Sequence, residues 1–295
     1  MDDSCESLLD PIESIIYCYL YIHIRFKRAL TMRDKTALVS GYARSFVSGE
    51  YLVDATITVL EDDKLKFKTD SSGKFGPFEW GVDQPITLVL EKNGYKMTQT
   101  ATMVVPKEGI NDKDFLKNIS FQVPSNIAYR FLSWAMGFSE DSNACVVAAT
   151  ITPPNTTMDN IPQGVAGVKV TLSPNTNIKP FYFGIFPWFH KTNPFIRSLD
   201  AISLDGGVAF VNVPPGDYIM EAQKEGVTFS KVVIKARKGV LVNASPPRGP
   251  TMLDGPKVQV IEKKPNYFNF FKTVAVIGVA AGGAYVVANA LKNSY

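Results

Sequence analysis

The chain has 295 residues, of which 45% are hydrophobic and 20% are charged, so it can hold two ordinary globular domains with additional segments. Its formal net charge is only +3 and its Lys and Arg residues are scattered, which argues against a surface that binds nucleic acid. The three cysteines, Cys5, Cys18 and Cys145, give neither a disulfide framework nor the spacing of a metal site.

The N-terminal extension, residues 1–34, contains an apolar run at 15–24. This run is too short to span a bilayer. Acidic residues precede it and basic residues follow it, which is the reverse of a secretory signal. We expect a buried or interfacial helix here, and the alternative is that Met32 is the true start of the protein.

Residues 35–124 are predicted to form a first β-sandwich. Short apolar segments alternate with period two and are separated by Gly-containing turns, as in antiparallel sheets. In one of them, Ile57 and Val59 are expected to share a face. The predicted strands lie at 38–42, 55–60, on both sides of a turn within 67–75, at 86–90 and at 98–105.

A helical linker is predicted at 125–143. Ser125 is a good N-cap residue for a helix that runs to Met136, and an apolar stripe is expected on one face. The helix either lies in a membrane surface or partner groove, or packs between two modules. The expected stripe consists of Ile127, Phe131, Leu132 and Ala135.

A second β-sandwich is predicted at 144–248, and its clearest signal is the turn-strand-turn stretch 204–218. Gly and Pro residues define the turns at both ends of this stretch. The turn at Asp205 matches the one at Asp70, so the order of elements repeats along the chain. Further strands are predicted at 145–151, 167–172, 218–226 and 229–238.

This motif order resembles the carboxypeptidase regulatory-like domains, which belong with the transthyretin-like and collagen-adhesin B-type repeats. The resemblance implies an all-β fold of two tandem antiparallel sandwiches, and it specifies a fold rather than a function. In the second module it is carried by Pro162, Gly164, 167–174, 205–210 and 212–218, and in the first by 55–60, 70–75 and 91–95.

The chemistry that the resemblance implies lacks its residues in this chain. Some adhesin repeats join a lysine and an asparagine of the first and last strands, but segment 145–151 has no lysine and Lys35 has no evident asparagine partner. The related hydrolases and iron dioxygenases need several histidines, and only His23 and His190 are present. We therefore expect no catalytic residues, metal or cofactor, with an enzyme that uses His190 as an alternative.

An aromatic insertion, 175–197, interrupts the second sandwich. It packs seven aromatic residues into the fifteen positions 181–195. If exposed, such a segment marks an interface, and the alternative is that it covers an open edge of the sandwich. The predicted docking residues are Phe183, Phe186, Trp188 and Phe189.

The C-terminal end predicts a membrane anchor. After a juxtamembrane linker at 249–272, residues 273–291 carry no charge and would span about 28 Å as a helix. Aromatic residues precede this stretch, and more lysines lie before it than after it, which favours modules on the cytoplasmic side. Gly278 and Gly282 form a GxxxG pair that predicts helix pairing, with itself or with a partner. A buried soluble helix is the alternative.

The sequence thus predicts a non-enzymatic, membrane-anchored structural protein whose modules dock on a protein partner or on membrane lipid. A larger assembly is the expected setting, such as an envelope complex, a secretion apparatus or a membrane-containing virion. The main alternative is a cell-surface adhesin or carbohydrate-binding protein with outward-facing modules, which would use the glycosylation sequons at Asn118, Asn155 and Asn243.

Overall fold

The computed structural model describes residues 36–104, 116, 119–156, 164–186, 191–245 and 248–255. These residues form twenty β-strands and one α-helix, so the expected predominantly β class is confirmed. The N-terminal run 15–24 and the apolar stretch 273–291 lie outside the described residues. In the part of the chain that is described, no helix is both long and apolar enough to cross a bilayer.

Two sets of strands flank the helix α1 (Asn126–Met136). The set before it consists of β1 (Thr36–Ser45), β2 (Thr56–Val59), β3 (Asp62–Lys68), β4 (Lys74–Gly81), β5 (Pro85–Ile86), β6 (Leu88–Glu91), β7 (Thr98–Gln99), β8 (Met103–Val104) and β9 (Ile119–Val123). The set after it consists of β10 (Cys145–Thr150), β11 (Lys169–Ser173), β12 (Phe181–Tyr182), β13 (Gly184–Phe186), β14 (Lys191–Asn193), β15 (Gly207–Val213), β16 (Gly216–Gln223), β17 (Thr228–Phe229), β18 (Val232–Ala236), β19 (Leu241–Ala244) and β20 (Met252–Asp254).

The first set folds as a sandwich of two sheets. One sheet has the order β4-β1-β9, and the other runs β7-β6-β2-β3. One buried cluster takes Val39 and Phe121 from the first sheet and Ile57 and Leu90 from the second, so the core lies between them. The predicted shared face of Ile57 and Val59 is confirmed, because both side chains are fully buried.

The second set forms a sandwich with the same internal plan. Its sheets run β12-β15-β10-β19 and β11-β16-β18, and one buried cluster fills the space between them. In both sandwiches the first strand lies between an antiparallel neighbour and a parallel strand from near the end of its set: β1 between β4 and β9, and β10 between β15 and β19, which only the short β20 follows. The repeated order of elements in the sequence therefore corresponds to a repeated topology.

Three expectations about the strands were wrong. The ladders β1–β9 and β10–β19 are parallel, whereas the sequence predicted antiparallel pairing throughout. The predicted strand 98–105 is divided between β7 and β8, and 229–238 is divided between β17 and β18. The strands β9 and β19 were not predicted. Each crosses to the sheet of its first strand, and such long-range pairing leaves no local signal in the sequence.

The two sandwiches share one continuous sheet. Strand β19 of the second pairs in parallel with β7 of the first, with Leu241 opposite Thr98 and Val242 opposite Gln99. The resulting eight-stranded sheet has the order β12-β15-β10-β19-β7-β6-β2-β3. We call this junction, formed by β7, β19 and the side chains that cross between them, the seam.

Candidate docking surface

Helix α1 forms where its caps predict it. Ser125 has an extended backbone, and its hydroxyl accepts a hydrogen bond from the Ala128 N–H at 3.2 Å. At the other end Gly137 adopts φ 77°, in the left-handed region that favours glycine, and its N–H donates to the Ser133 carbonyl. The helix predicted after Ser125 is therefore present and spans Asn126–Met136.

The buried side of α1 packs on the outer face of the shared sheet, above the seam. Tyr129 forms a small buried cluster with Val146 of β10 and Leu241 of β19. The Lys96 ammonium lies 4.6 Å from the centre of the Tyr129 ring and also pairs with Glu140. Burial, with the nearby Glu140 carboxylate, raises the pKa of Tyr129, so its phenol is neutral at physiological pH.

The predicted apolar stripe of α1 is not the stripe that is buried. Ile127 belongs to the predicted stripe, which was expected either to dock or to pack between the modules, and its side chain is 83% exposed. Tyr129 faces the sheet. Ile127, Arg130 and Trp134, which are spaced by three and four residues, therefore lie together on the solvent-facing side of the helix. Of the predicted stripe, Ala135 is buried and Phe131 and Leu132 are half-buried.

The outer side of α1 meets the end of the aromatic insertion. The ring centres of Phe131 and Trp134 lie 5.7 Å apart, and each lies 6.1 Å from the ring of Phe195. Trp134 is 63% exposed and Phe195 is 37% exposed. We call Ile127, Phe131, Trp134 and Phe195 the aromatic face; it unites two elements that the sequence identified separately as docking candidates.

Arg197 fixes the insertion to the helix. Its Nη2 donates to the carbonyl oxygens of Ala135 at 2.8 Å and Trp134 at 3.2 Å, and its Nε donates to Ala135 at 3.1 Å. These carbonyls lie in the last turn of α1, which carries partial negative charge, so a guanidinium there is favourable. Sequence reasoning missed Arg197, because nothing local shows that it will reach a helix sixty residues earlier.

The predicted docking residues inside the insertion are only partly described. Phe183 and Phe186 are half-buried, and Phe183 packs edge-on against Phe181 at 5.2 Å. Trp188 and Phe189 lie outside the described residues, as do His190, Gly278 and Gly282. Tyr182 is buried, and its hydroxyl accepts from the Val170 N–H at 3.0 Å. Because β12 pairs with β15, this part of the insertion covers a sheet edge, as the alternative interpretation expected.

A carboxylate holds the base of the insertion. Asp205 accepts hydrogen bonds from the Thr192 hydroxyl at 2.7 Å and from the Gly207 N–H at 3.2 Å, and so joins β14 to β15. Burial raises the pKa of Asp205 to about 6. At the equivalent turn of the first sandwich, Asp70 is exposed, and hydrogen bonds from Lys74 and Ser72 lower its pKa instead.

Buried polar groups close the seam. Gln99 is fully buried; its Nε2 donates to the Lys235 carbonyl at 2.9 Å, and its Oε1 accepts from Arg237 Nε at 2.8 Å. Glu61 accepts from the Thr87 N–H at 2.7 Å and from the Lys235 ammonium at 2.8 Å. Each of these bonds satisfies a polar group that would be costly to bury alone.

Asn243 also crosses between the sandwiches. It lies in the last strand of the second module, and its amide donates to the Gln122 carbonyl of β9 at 3.1 Å. The strand β10, which pairs with the strand of Asn243, reads CVVAAT and carries no lysine that could bond to this asparagine.

In the described ranges, no group of three or more His, Cys, Asp or Glu residues is placed to hold a metal ion.

No protein-family model and no curated protein matches the chain. Among solved structures, the Bacillus anthracis TIE protein is 12% identical with a TM-score of 0.24, and the match covers 72% of this chain and 33% of that one. A streptococcal ancillary pilin is 8% identical with a TM-score of 0.23, and the match covers 74% and 69%. The minor pilin GBS52 of Streptococcus agalactiae is 10% identical with a TM-score of 0.22, and the match covers 76% and 99%.

This chain thus spans about a third of the length of the Bacillus anthracis protein. TM-scores this low carry no information about its function. Its β-sandwich class follows from its own sheets and cores, which are described above.

Proposed function

We propose that the chain is a non-enzymatic structural protein whose two transthyretin-like sandwiches act as one body, held at a membrane by residues 273–291. Its outer surface docks on a neighbouring component of a larger assembly, either a protein or the bilayer. The seam is the observation that carries this proposal, because it joins the two modules through one continuous sheet.

The seam supports a structural role for the protein because its polar groups bond the two sandwiches to each other. Domains on a linker normally move relative to each other, since their interfaces are small and polar. Here the main chain of β19 continues the sheet of β7, and Gln99, Glu61 and Asn243 each bond across the junction or beside it. A body of this kind transmits position and force without a bound ligand.

The transthyretin-like assignment rests on the repeated topology. Both modules place the first strand between an antiparallel neighbour and a parallel later strand, and both carry an aspartate-glycine turn between their earlier strands and that antiparallel neighbour. The strand that follows the turn is in each case the antiparallel neighbour of the first strand, β4 or β15, and this agreement supports two copies of one fold, in line with the motif resemblance in the second module.

The anchor rests on the sequence. Residues 273–291 are uncharged, and Tyr267, Phe268, Phe270 and Phe271 precede them as an interfacial belt would. The excess of lysine on the N-terminal side favours modules on the cytoplasmic side. Gly278 and Gly282 permit close helix approach, so homo-oligomers through the anchor belong to this proposal.

Membrane extraction tests the proposal. The full chain and a variant that ends at Lys272 are expressed in the same cells, and membranes are washed at alkaline pH. We expect the full chain to stay in the membrane pellet and the shortened variant to be released. Protease treatment of sealed vesicles then gives the side on which the modules lie. If the alkaline wash releases the full chain, residues 273–291 do not anchor it in the membrane.

A further inference from the structure

The aromatic face is an apolar ridge that projects into solvent. Ile127 and Trp134 are 83% and 63% exposed and point away from the sheet on which α1 lies. Phe131 and Phe195 flank Trp134 with their rings close together. Exposed aromatic and aliphatic side chains of this kind can enter the interface of a bilayer.

The charged residues within the segments that carry this ridge are cations, although Glu140, Asp141 and Asp200 follow these segments directly. Of these acidic residues, Glu140 pairs with Lys96 and Asp200 pairs with Lys179. Residues 125–139 and 191–199, which carry the whole aromatic face, contain no Asp or Glu. Arg130 lies on the same outer stripe of α1 as Ile127 and Trp134, and Arg197 lies at the end of the helix. Aromatic and aliphatic side chains among cations, on a helix that lies flat, are the composition that binds the interface of an anionic bilayer.

The length of the chain beyond the second sandwich brings that bilayer within reach. Seventeen residues, 256–272, separate the last described residue, Gly255, from the predicted anchor. A flexible chain of this length has a root-mean-square span of about 23 Å, and a fully extended one reaches about 60 Å. The shared sheet, with α1 on its outer face, is therefore confined close to the membrane, where a weak surface contact is strengthened by tethering.

We propose that the aromatic face docks on the anionic surface of the bilayer that holds the anchor, so that the shared sheet lies along the membrane. This inference rests on the proposed function, since the anchor supplies the nearby bilayer. Trp134 and Ile127 enter the headgroup region, Phe131 and Phe195 support them, and Arg130 lies among the lipid phosphates. Arg197 positions Phe195 by holding the insertion against the helix.

Tryptophan quenching tests the contact directly. The chain contains Trp80, Trp134 and Trp188, so Trp80→Phe with Trp188→Phe leaves Trp134 as its one indole. The full-length variant is reconstituted into phosphatidylcholine–phosphatidylserine vesicles whose acyl chains are brominated. We expect bromination to remove more than half of the Trp134 emission. The matched protein that keeps only Trp80, which is half-buried in the first sandwich, should keep its emission.

Charge variants separate docking from mere proximity. Arg130→Glu and Ile127→Glu should each restore most of the Trp134 emission in brominated vesicles. Leu253→Glu, at a site that is 66% exposed but lies in β20, should leave the quenching unchanged. Omission of phosphatidylserine should also weaken the quenching.

The outcomes for the anchor and for the docking surface are distinguishable. A chain that resists the alkaline wash but keeps its full Trp134 emission overturns the docking inference and leaves the anchor intact; the aromatic face would then belong to a protein contact. A chain that is washed off and is not quenched overturns both. A chain that is washed off yet is quenched before the wash overturns the anchor alone.

Discussion

The side-chain amide of Gln99, in the first sandwich, accepts a hydrogen bond from Nε of Arg237, in the second, at 2.8 Å. The other end of the same amide donates to the Lys235 carbonyl at 2.9 Å. Gln99 is fully buried, so water does not reach its amide in the closed seam, and the amide depends on these two partners. One glutamine thus makes the register of the two sandwiches specific.

Replacement of Gln99 should weaken the seam. Gln99→Ala removes the bonds of its amide to the part-buried Lys235 carbonyl and Arg237 guanidinium, which costs about 1–3 kcal/mol of unfolding free energy. Urea unfolding of the purified chain measures the loss. The control is Gln223→Ala, at an exposed position of β16, which should change the stability by less than about 0.5 kcal/mol. Equal effects of the two variants would contradict the role of Gln99.

The ion pair between Glu61 and Lys235 should contribute more than a surface pair. Their side chains are 14% and 30% exposed, and Glu61 also accepts from the Thr87 main chain. A double-mutant cycle with alanine should give a coupling energy of about 1–3 kcal/mol. The same cycle on Asp54 and Lys68, which are 75% and 60% exposed, should give less than about 1 kcal/mol. A smaller coupling for the Glu61 pair than for this control would show that the seam does not need it.

Asp205 should make the protein less stable at neutral pH than in mild acid. Burial raises its pKa from 3.8 to about 6, so the folded state holds the proton more tightly than the unfolded state. The stabilising contribution of protonated Asp205 is fully present below pH 3.8, and it is lost as the pH rises through about 6. Asp205→Asn should therefore stabilise the chain by up to about 3 kcal/mol at pH 7 and by little at pH 4. Thermal unfolding across this range measures the difference.

Asp70, at the equivalent turn, should behave in the opposite sense. Hydrogen bonds from the Lys74 main chain and from Ser72 lower its pKa, so its stabilising effect is present above the ordinary aspartate pKa and is lost as pH falls below it. Asp70→Asn should thus destabilise the chain at pH 7 and have little effect in strong acid. If Asp70→Asn and Asp205→Asn shift the free energy of unfolding in the same direction at pH 7, the opposite pKa shifts of the two aspartates are contradicted.

Arg197 should be needed for order at the end of α1. Arg197→Ala removes the donors to the Ala135 and Trp134 carbonyls, and we expect a loss of about 1 kcal/mol. Amide hydrogen exchange should accelerate in the last turn of α1 and around Phe195. Arg130→Ala, on the exposed side of the same helix, is the control, and it should leave exchange unchanged. Unaltered exchange in Arg197→Ala would mean that the insertion is held by other contacts.

Local features of the fold could be predicted from the sequence. The Ser125 cap and the residues up to Met136 were sufficient to place α1, because capping depends on neighbouring residues only. The alternation around Ile57 placed a strand and its buried face correctly. The two aspartate turns were recognised as equivalent, but nothing in the sequence indicated that Asp205 is half-buried while Asp70 is exposed.

Features that depend on distant contacts could not be predicted. The seam joins Gln99 to Val242, Lys235 and Arg237, and the two-residue strand β7 gives no pattern from which such pairing could be inferred. The side of α1 that packs on the sheet could not be chosen from the sequence, because Ile127 and Tyr129 are both apolar enough to face a sheet. The aromatic character of the insertion was evident, but its contact with α1 depends on Arg197, which has no motif.

The seam is expected to hold the two sandwiches together as one body. A measured distance between a site in the first sandwich and a site in the second tests this most directly. Spin labels at Lys66→Cys in β3 and Thr171→Cys in β11, both exposed, report on this distance by pulsed electron resonance after Cys5 and Cys18 are changed to serine. We predict one narrow distance distribution in the full chain and a broader one in Gln99→Ala. A broad distribution in the unaltered seam would contradict the claim and leave two modules on a flexible linker.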